Sequence, residues 1–370
     1  MDKKKVLCVF GTRPEAIKMA PVVKALESCD ALDTEVCVTA QHRDMLDRVL
    51  KIFNIVPEYD LNIMKNGQSL AYITTSVLEG MEGIFNRERF DLVLVHGDTT
   101  TAMATALAAF YNGIKIGHVE AGLRTYDKNS PFPEEINRQF IDRIADYLFV
   151  PTENNKNNLL REHLNNGQKI VVTGNTVIDA LKMTVSNEYT NPDFDWVGDS
   201  RLILVTAHRR ESFGEPMREI MRAIRRVADE FADVKIIYPM HLNPKVRMIA
   251  KEELANHDRI KLIEPLDVVD FHNYMNKAYL IMSDSGGVQE EAPSLNKPVL
   301  VLRDKTERPE GVEAGTLKIV GTSTDNIYRE TKKLLSDETE YSRMKTSENP
   351  YGDGFASERI MKFILEELSD

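Results

Sequence analysis

The strongest constraint on the fold is a repeated alternation of short apolar, β-branched segments with longer segments of helical period. Such alternation is typical of βαβ units, in which parallel strands are joined by helices that cover the sheet. In the first half of the chain the predicted strands lie at 6–10, 35–40, 91–98, 115–122, 147–151 and 169–175. The intervals between them are predicted to be largely helical.

The pattern begins again in the second half, with predicted strands at 202–210, 234–240, 260–266, 279–287 and 298–304. After the first of these, apolar residues fall on one stripe at the 3.6-residue period, which predicts an amphipathic helix. They are Met217, Ile220, Met221, Ile224, Val227, Ala228 and Phe231. The sequence therefore predicts an α/β protein with two Rossmann-like, doubly wound domains.

We place these domains at 1–185 and 186–356, with the polar segment 186–200 as the linker. A last helix at 357–370 could pack back on the first domain. The length of 370 residues agrees with two domains, since one domain usually holds roughly 100–200 residues.

Composition excludes several classes of protein. The chain is 42% hydrophobic and 28% charged, and no stretch reaches the ~20 apolar residues of a membrane-spanning helix. A net charge of −11 argues against a nucleic-acid partner held through its phosphates. The three cysteines, Cys8, Cys29 and Cys37, have no CxxC or histidine at metal-ligand spacing, which predicts free thiols and no metal site. The short apolar N-terminal run is predicted to be a strand of a cytoplasmic protein rather than a signal peptide.

Two such domains would face each other across a cleft at the carboxyl ends of their strands, where open α/β sheets bind ligands. The segments that follow the strands are rich in charge and glycine. They read GTRPE, QHRD, HGDTT and HVEAGLRT in the first half, and TAHRRE, PMHLNP and SDSGG in the second. We expect the functional site among these turns.

The turn SDSGGVQEE at 283–291 is a candidate phosphate site. Its serine and two glycines separate a strand from a helix, so that free N–H groups and the helix dipole favour an anion. Ser285, Gly286 and Gly287 would contact a diphosphate, and Glu291 could accept hydrogen bonds from ribose hydroxyls. For this motif alone, the alternative is a plain tight turn.

The first turn of the chain, GTRPEAIKMAP at 11–21, lacks the spacing G-x-G-x-x-G, so an NAD mechanism loses support. We expect no cofactor. Arg13 and Lys18 in this segment suit a leaving diphosphate, or are a solvated pair at the start of a helix.

Three carboxylates follow strands or open a helix in the first half: Asp98, Glu120 and Glu134, the last just ahead of Arg138. In one cavity, repulsion and desolvation would separate their pKa values, so that one site would contain both an acid and a base. The alternative is that Asp98 caps the following helix and Glu134 interacts with a helix dipole. In the second half, His208 at a strand end suits proton transfer or phosphate contact.

The chain resembles the bacterial non-hydrolysing UDP-N-acetylglucosamine 2-epimerases over nearly its whole length, through motifs in the order and spacing of that family. These are GTRPEAIKMAPV, QHRDML, HGDTTT, HVEAGLRT, PEEINR, VTGNTVIDAL, TAHRRES, PMHLNP, SDSGGVQEEAPSL and TERPEG. The resemblance implies a glycosyltransferase-B type fold, a homodimer, and interconversion of UDP-GlcNAc and UDP-ManNAc for cell-surface polysaccharides. It also implies elimination of UDP to 2-acetamidoglucal, followed by re-addition.

The resemblance implies residue roles as well. It assigns catalysis to Asp98, Glu120, Glu134 and His208. It assigns substrate or UDP binding to Arg13, Lys18, Arg138, Phe271, Ser285, Gly286, Gly287 and Glu291. A second UDP-GlcNAc site, which predicts allosteric activation by the substrate, matches Gln41, His42, Gln68, Arg209 and His241. Ser212 departs from the family pattern, in which Asn is more frequent, and leaves these assignments intact.

Three other functions share parts of the pattern. A hydrolysing relative would release ManNAc and UDP, although such enzymes differ around the segment that here reads VEAGLRT. A retaining glycosyltransferase shares the two-domain cleft but needs an acceptor pocket and gains little from three carboxylates. A non-catalytic nucleotide-sugar sensor would keep SDSGG and Arg13 and could dispense with the carboxylates.

Overall fold

The computed structural model describes residues 3–41, 43–306 and 308–369. The chain divides into two compact units, Met1–Met183 with Tyr351–Asp370, and Thr184–Pro350. Each unit is built on one parallel β-sheet and has its own buried apolar core, which confirms the predicted class of two α/β units. Within the described ranges, no helix combines the length and the apolar character needed to cross a membrane.

In the described part of the first unit, seven strands form one parallel sheet. They are β1 (Lys4–Phe10), β2 (Leu32–Val38), β3 (Tyr59–Asp60), β4 (Leu92–His96), β5 (Lys115–Val119), β6 (Tyr147–Val150) and β7 (Lys169–Val172). Their order in the sheet is β3-β2-β1-β4-β5-β6-β7. The chain therefore winds from β1 to one edge and then from β4 to the other, and such a reversal opens a crevice at the carboxyl ends of β1 and β4.

The helices of the first unit alternate with these strands. They are α1 (Arg13–Glu27), α2 (Arg43–Ile52), α3 (Leu70–Phe85), α4 (Thr100–Tyr111), α5 (Glu134–Ile144), α6 (Glu153–Arg161) and α7 (Thr176–Thr184). The helices cover the sheet, so that all five residues of β4 and the last five of β1 are buried. This burial explains why these strands are formed by nearly continuous apolar sequence.

The second unit repeats the plan with a six-stranded parallel sheet among its described residues, in the order β10-β9-β8-β11-β12-β13. The strands are β8 (Arg201–Thr206), β9 (Val234–Pro239), β10 (Ile260–Ile263), β11 (Leu280–Ser283), β12 (Val299–Val301) and β13 (Leu317–Ile319). The helices are α8 (Pro192–Val197), α9 (Glu215–Glu230), α10 (Pro244–Leu254), α11 (Val268–Lys277), α12 (Gly286–Glu291), α13 (Pro309–Glu313), α14 (Thr324–Ser336) and α15 (Glu338–Lys345).

The amphipathic helix predicted in the second half is α9, and this prediction is confirmed. Six of the seven predicted stripe residues are buried in it, and the seventh, Phe231, follows as its C-cap. The segment 186–200 differs from the prediction of a linker, because it contains α8 and belongs to the second unit. There Tyr274 Oη donates a hydrogen bond to Asp193 Oδ2 at 2.7 Å, and the Phe194 ring lies 4.9 Å from that of Tyr274.

The last helix, α16 (Ala356–Ser369), belongs to the first unit. Its Phe363 packs edge-on against Tyr147 of β6, with ring centroids 5.4 Å apart. Asp179 of α7 caps it, since its Oδ1 accepts the backbone N–H of Ser357 at 2.8 Å. The chain end thus completes the unit with which the chain begins.

Candidate active site

The turn after β1 is held by Glu15, a buried residue three positions after the helix cap Thr12. Glu15 Oε2 accepts the N–H groups of Gly11 and Thr12 at 3.1 and 2.8 Å, and Oε1 accepts the Thr99 hydroxyl at 2.6 Å. Burial raises the pKa of Glu15, and these hydrogen bonds oppose the rise. This capping box begins α1, ties the turn to the one after β4, and sets the position of Lys18.

Glu120 follows β5 with a φ of +68°, which residues other than glycine rarely adopt. Backbone strain of this kind clusters at functional sites. The Glu120 carboxylate forms an ion pair with Lys18 Nζ, and each side chain is only 14% exposed. Asn175 Nδ2 donates a second hydrogen bond to Glu120 Oε2 at 3.3 Å. The alternative of Lys18 as a solvated cation is therefore wrong.

His96, the last residue of β4, lies beside this ion pair. Its Nε2 is 3.7 Å from Glu120 Oε2, and neither ring nitrogen has a hydrogen-bond partner among the described residues. Burial lowers the pKa of His96 to about 3, against the opposing charge of Glu120. A neutral imidazole therefore borders the Glu120 carboxylate near neutral pH.

Asp98 lies two residues after β4 and pairs with Arg138 of α5, with Oδ2 and Nη2 2.6 Å apart. The cap of α4 is Thr99, whose hydroxyl accepts the N–H of Ala102 at 3.0 Å. The alternative in which Asp98 caps that helix is therefore wrong. The Asp98 carboxylate is instead held by the guanidinium group of Arg138.

The three predicted carboxylates lie within electrostatic reach of one another. Burial raises the pKa of Asp98, Arg138 opposes the rise, and the charges of Glu120 and Glu134 add to it. Glu134 is half-buried and opens α5, so it also lies where the helix dipole favours a carboxylate. A cluster of this kind provides carboxyl groups in unlike environments, as acid and base chemistry in one site requires.

In the second unit, His208 follows β8 and contacts the fully buried carboxylate of Asp284. Asp284 Oδ2 accepts the N–H groups of His208 and Arg209 at 2.6 and 2.8 Å, and its Oδ1 lies 3.2 Å from His208 Nδ1. Burial lowers the pKa of His208, although Asp284 opposes the shift. Asp284 Oδ1 accepts no hydrogen bond among the described residues, so the His208 ring faces this carboxylate through charge alone.

The predicted phosphate turn, 285–287, lies between β11 and α12. Two guanidinium groups flank it: a Cβ on Gly286 would lie 3.6 Å from Nη2 of Arg308 and 3.9 Å from Nη2 of Arg209. Arg308 also forms an ion pair with Glu290. The N–H of Ser285 donates to Ser283 Oγ at 3.0 Å, so the groups at this turn that suit an anion are the two guanidinium groups.

Glu291 ends α12 and turns back toward its start, where a Cβ on Gly287 would lie 3.3 Å from Glu291 Oε1. Its Oε2 is 3.6 Å from Nε2 of the buried His272 of α11. Phe271 precedes His272 on that helix and is half-buried. Glu291 thus lies at the phosphate turn, as a ribose contact would require.

Two of the residues matched to a second UDP-GlcNAc site meet in the first unit. Gln68 Nε2 donates to the backbone carbonyl of Gln41 at 3.1 Å, and Gln41 Oε1 accepts the Thr101 hydroxyl at 3.1 Å. His42 lies outside the described residues. The α4 residue Thr101 thus joins this pair to the turn that carries Asp98.

The other two residues of that set lie at His208 of the second unit. The His241 ring stacks on that of His208, with centroids 5.2 Å apart and planes 9° from parallel. Arg209 is the next residue along the chain and shares the Asp284 carboxylate with His208. A ligand of His241 or Arg209 would therefore contact residues that also position His208.

The sequence does not single out four residues that lie beside candidate residues of their own unit. His96, Asn175, Asp284 and Arg308 all lie in the quoted motifs HGDTT, VTGNTV, SDSGG and TERPEG. For His96 and Asp284, their position at the end of a strand is a usable signal. Arg308 lies beyond the end of the predicted strand 298–304, and only folding brings it beside Gly286.

Comparison with known proteins shows similarity to UDP-N-acetylglucosamine 2-epimerases along nearly the whole chain. A family profile described as UDP-N-acetylglucosamine 2-epimerase matches residues 24–365. The UDP-N-acetylglucosamine 2-epimerase of Bacillus subtilis is 58% identical over 365 residues, which cover 99% of this chain and 96% of that protein. The MnaA protein of S. aureus, solved with UDP, is 56% identical with a TM-score of 0.91, covering 99% of this chain and 97% of that one. The UDP-GlcNAc 2-epimerase of Neisseria meningitidis, solved with UDP-GlcNAc, is 48% identical with a TM-score of 0.88, covering 98% and 100%.

Proposed function

The chain belongs to the UDP-N-acetylglucosamine 2-epimerase family, and we propose that it interconverts UDP-GlcNAc and UDP-ManNAc without hydrolysis. Its fold of two parallel-sheet α/β units is that of these enzymes, of the glycosyltransferase-B type. The observation that carries the proposal is the cluster of Asp98, Glu120 and Glu134, in which Arg138 and Lys18 hold the first two carboxylates.

The chemistry explains why such a cluster is needed. C2 of the sugar has no adjacent carbonyl, so its proton is not acidic in the ground state. A carboxylate removes this proton while the C1–O bond to UDP breaks, and the electron pair of the C–H bond forms the C1=C2 double bond of 2-acetamidoglucal. UDP then adds back to C1 as a proton reaches the opposite face of C2. Two faces require two proton carriers.

Unlike environments prepare the carboxylates for these two tasks. Burial raises the pKa of Asp98, so this group holds a proton more readily than an exposed aspartate. Glu120 faces the ammonium of Lys18, which favours its charged form. Positive charge on C1 develops in the transition state, and nearby carboxylates stabilise it.

The second unit supplies the groups for the departing diphosphate. Arg209 and Arg308 flank Gly286, and the His208 imidazole beside Asp284 can take up or return a proton. Arg13 of the first unit is assigned to the same diphosphate. Retaining UDP makes its return effectively intramolecular, which lowers the barrier of the second step.

Activation by UDP-GlcNAc at a second site is part of the proposal. The contact between Gln41 and Gln68, and the stacking of His241 on His208, support it. Activation predicts a lag when UDP-ManNAc is the only ligand, and a trace of UDP-GlcNAc should abolish this lag. Full initial speed with UDP-ManNAc alone would contradict activation.

We further propose a homodimer in the cytoplasm that serves the synthesis of cell-surface polysaccharides. The assembly and the pathway rest on the family resemblance. The compartment is supported by Cys8 and Cys37, two buried free thiols, which a reducing environment preserves.

Product analysis without an acceptor tests the reaction. Proton NMR of UDP-GlcNAc with the enzyme should show UDP-ManNAc, with the total of UDP-sugars conserved. Free ManNAc and an equal amount of UDP would instead identify a hydrolysing enzyme, and turnover only after addition of an acceptor would identify a glycosyltransferase. Unchanged turnover in Glu120→Gln would overturn the roles assigned to the carboxylates.

A further inference from the structure

Two fully buried side chains of the first unit, His118 and Asp142, have no part in the chemistry described above. His118 lies on β5, within the motif HVEAGLRT, and Asp142 lies near the end of α5. Both side chains have zero exposure and form a direct contact, with His118 Nδ1 and Asp142 Oδ1 2.6 Å apart. A buried charged pair is costly unless its hydrogen bonds are complete, so its other contacts matter.

Those contacts reach the two turns that carry the proposed catalytic carboxylates. His118 Nε2 lies 2.7 Å from the backbone oxygen of Gly97, the residue before Asp98. Asp142 Oδ2 accepts the backbone N–H of Gly122, two residues after Glu120, at 3.2 Å. One imidazole and one carboxylate thus span the turns after β4 and β5.

The turn after β5 needs such support, because Glu120 is in the left-handed region, which glycine adopts without strain and other residues rarely adopt. The φ angles are +65° at Gly97, +68° at Glu120 and +82° at Gly122. A strained conformation persists only where surrounding contacts over-determine it. The buried pair provides these contacts from inside the unit.

The chemistry of Gly97 and Asp142 sets the direction of the hydrogen bonds that each forms with His118. The Gly97 oxygen can only accept, so His118 Nε2 carries a proton. Burial opposes the ionisation of Asp142, but the charges of His118 and Arg124 outweigh it and lower the pKa of this carboxyl. The carboxylate therefore accepts, and both ring nitrogens of His118 face acceptors.

Arg124 and Glu162 extend the contacts of this buried pair. Arg124 Nη1 lies 2.7 Å from Asp142 Oδ2, and Arg124 Nε donates to Glu162 Oε1 at 2.7 Å. Arg124 therefore bridges the carboxylates of Asp142 and Glu162. Of the four side chains in this network, Glu162 is the most remote from the turns and has a partly exposed side chain.

We propose that His118 and Asp142 are positioning residues that fix the carboxylates of Asp98 and Glu120 relative to each other. The inference rests on the proposed function, since it matters only if both carboxylates act on one substrate. The pair does not touch the substrate. It acts by holding the Gly97 oxygen and the Gly122 N–H in place.

The test is steady-state kinetics of His118→Phe, which keeps a planar ring and removes both donors. A shift of about 1 Å in a catalytic group costs on the order of 10²-fold in rate, and we expect kcat to fall by that factor. KM for UDP-GlcNAc should change little, because the proposed phosphate turn, 285–287, and the arginines that flank it, Arg209 and Arg308, lie in the second unit. If His118→Phe does not fold, His118→Gln replaces it, since one amide nitrogen cannot bridge both acceptors and kcat should still fall more than about 10-fold.

Asp142→Asn is the conservative variant that should rescue the geometry. Its amide can donate to Nδ1 of a neutral His118 and accept from Gly122, so both links survive and kcat should stay close to wild type. Glu162→Gln is the matched control within the same network and should lower the melting temperature without lowering kcat. Wild-type kcat in folded His118→Phe or His118→Gln would overturn the proposal. Equal losses of kcat in all the variants would overturn it too, because they would indicate a general structural role.

Asp98→Asn and Glu120→Gln in the same assay separate this inference from the proposed function. If these two variants retain turnover, the proposed roles of the carboxylates fail. If they abolish turnover while folded His118→Phe keeps it, only the positioning inference fails.

Discussion

Removal of the charge on Arg138 should shift the pH dependence of catalysis in a defined direction. Arg138 Nη2 lies 2.6 Å from Asp98 Oδ2, and it opposes the rise in the pKa of Asp98 that burial causes. In Arg138→Met the ionised form of Asp98 loses this attraction, while repulsion from Glu120 and Glu134 remains. The pKa of Asp98 should therefore rise further.

The geometry bounds the size of the shift. Two unit charges about 4 Å apart interact by roughly 4 kcal/mol at an effective dielectric constant of 20, which equals about 3 pKa units. The Asp98 side chain is 28% exposed, so solvent screens part of this energy. We expect a rise of about 1–2 units, within the range for a carboxyl that loses a neighbouring cation.

The assay is the pH profile of kcat/KM, which reports the pKa values of the free enzyme. Whether Asp98 acts as a base or as an acid, the limb that it governs should move to higher pH. Arg138→Lys retains the charge and should shift the limb less, and Arg143→Gln removes an exposed charge from the same helix and should not shift it. A profile of Arg138→Met with both limbs at their wild-type pH would refute the reasoning.

Three further changes test other parts of the structure. Gly122→Ala would place a Cβ 2.6 Å from the Asn155 carbonyl oxygen at a φ of +82°, so urea unfolding should show a loss of about 2–4 kcal/mol. Gly113→Ala, at a φ of +67° with open space around it, should cost only about 1 kcal/mol. Arg308→Gln should weaken UDP binding about 10-fold in calorimetry, the value of one charged hydrogen bond, and unchanged affinity would exclude Arg308 from the site. Gln68→Ala should raise the UDP-GlcNAc concentration needed to abolish the lag with UDP-ManNAc, and an unaltered requirement would remove Gln68 from the activating site.

The strands and helices were predictable where the hydrophobic pattern within the segment itself indicates them. The buried runs of β1 and β4 and the stripe of α9 follow from hydrophobic period alone. β3 and β13 escaped prediction because two and three residues are too few to form a periodic pattern. The segment 186–200 was misjudged, because its polar composition hides α8, which Asp193 and Phe194 anchor to Tyr274.

The candidate site was predictable only as a set of turns. Strand ends marked Asp98, Glu120 and His208, because parallel strands bring their carboxyl ends to one edge of a sheet. The partners of these residues depend on tertiary contacts. The link between His118 and Asp142 joins a strand to a helix 24 positions away, and no periodicity in the sequence indicates it.

The central claim is that carboxylates of the first unit remove the C2 proton while UDP leaves and return a proton as UDP adds back. Proton NMR of UDP-GlcNAc with the enzyme in D₂O tests it most directly. The account predicts that UDP-ManNAc forms with deuterium at C2, that the remaining UDP-GlcNAc gains deuterium there, and that Glu120→Gln slows the exchange at least about 100-fold, as expected for loss of a general base. Formation of UDP-ManNAc that keeps its original C2 proton, or unchanged exchange in Glu120→Gln, would contradict it.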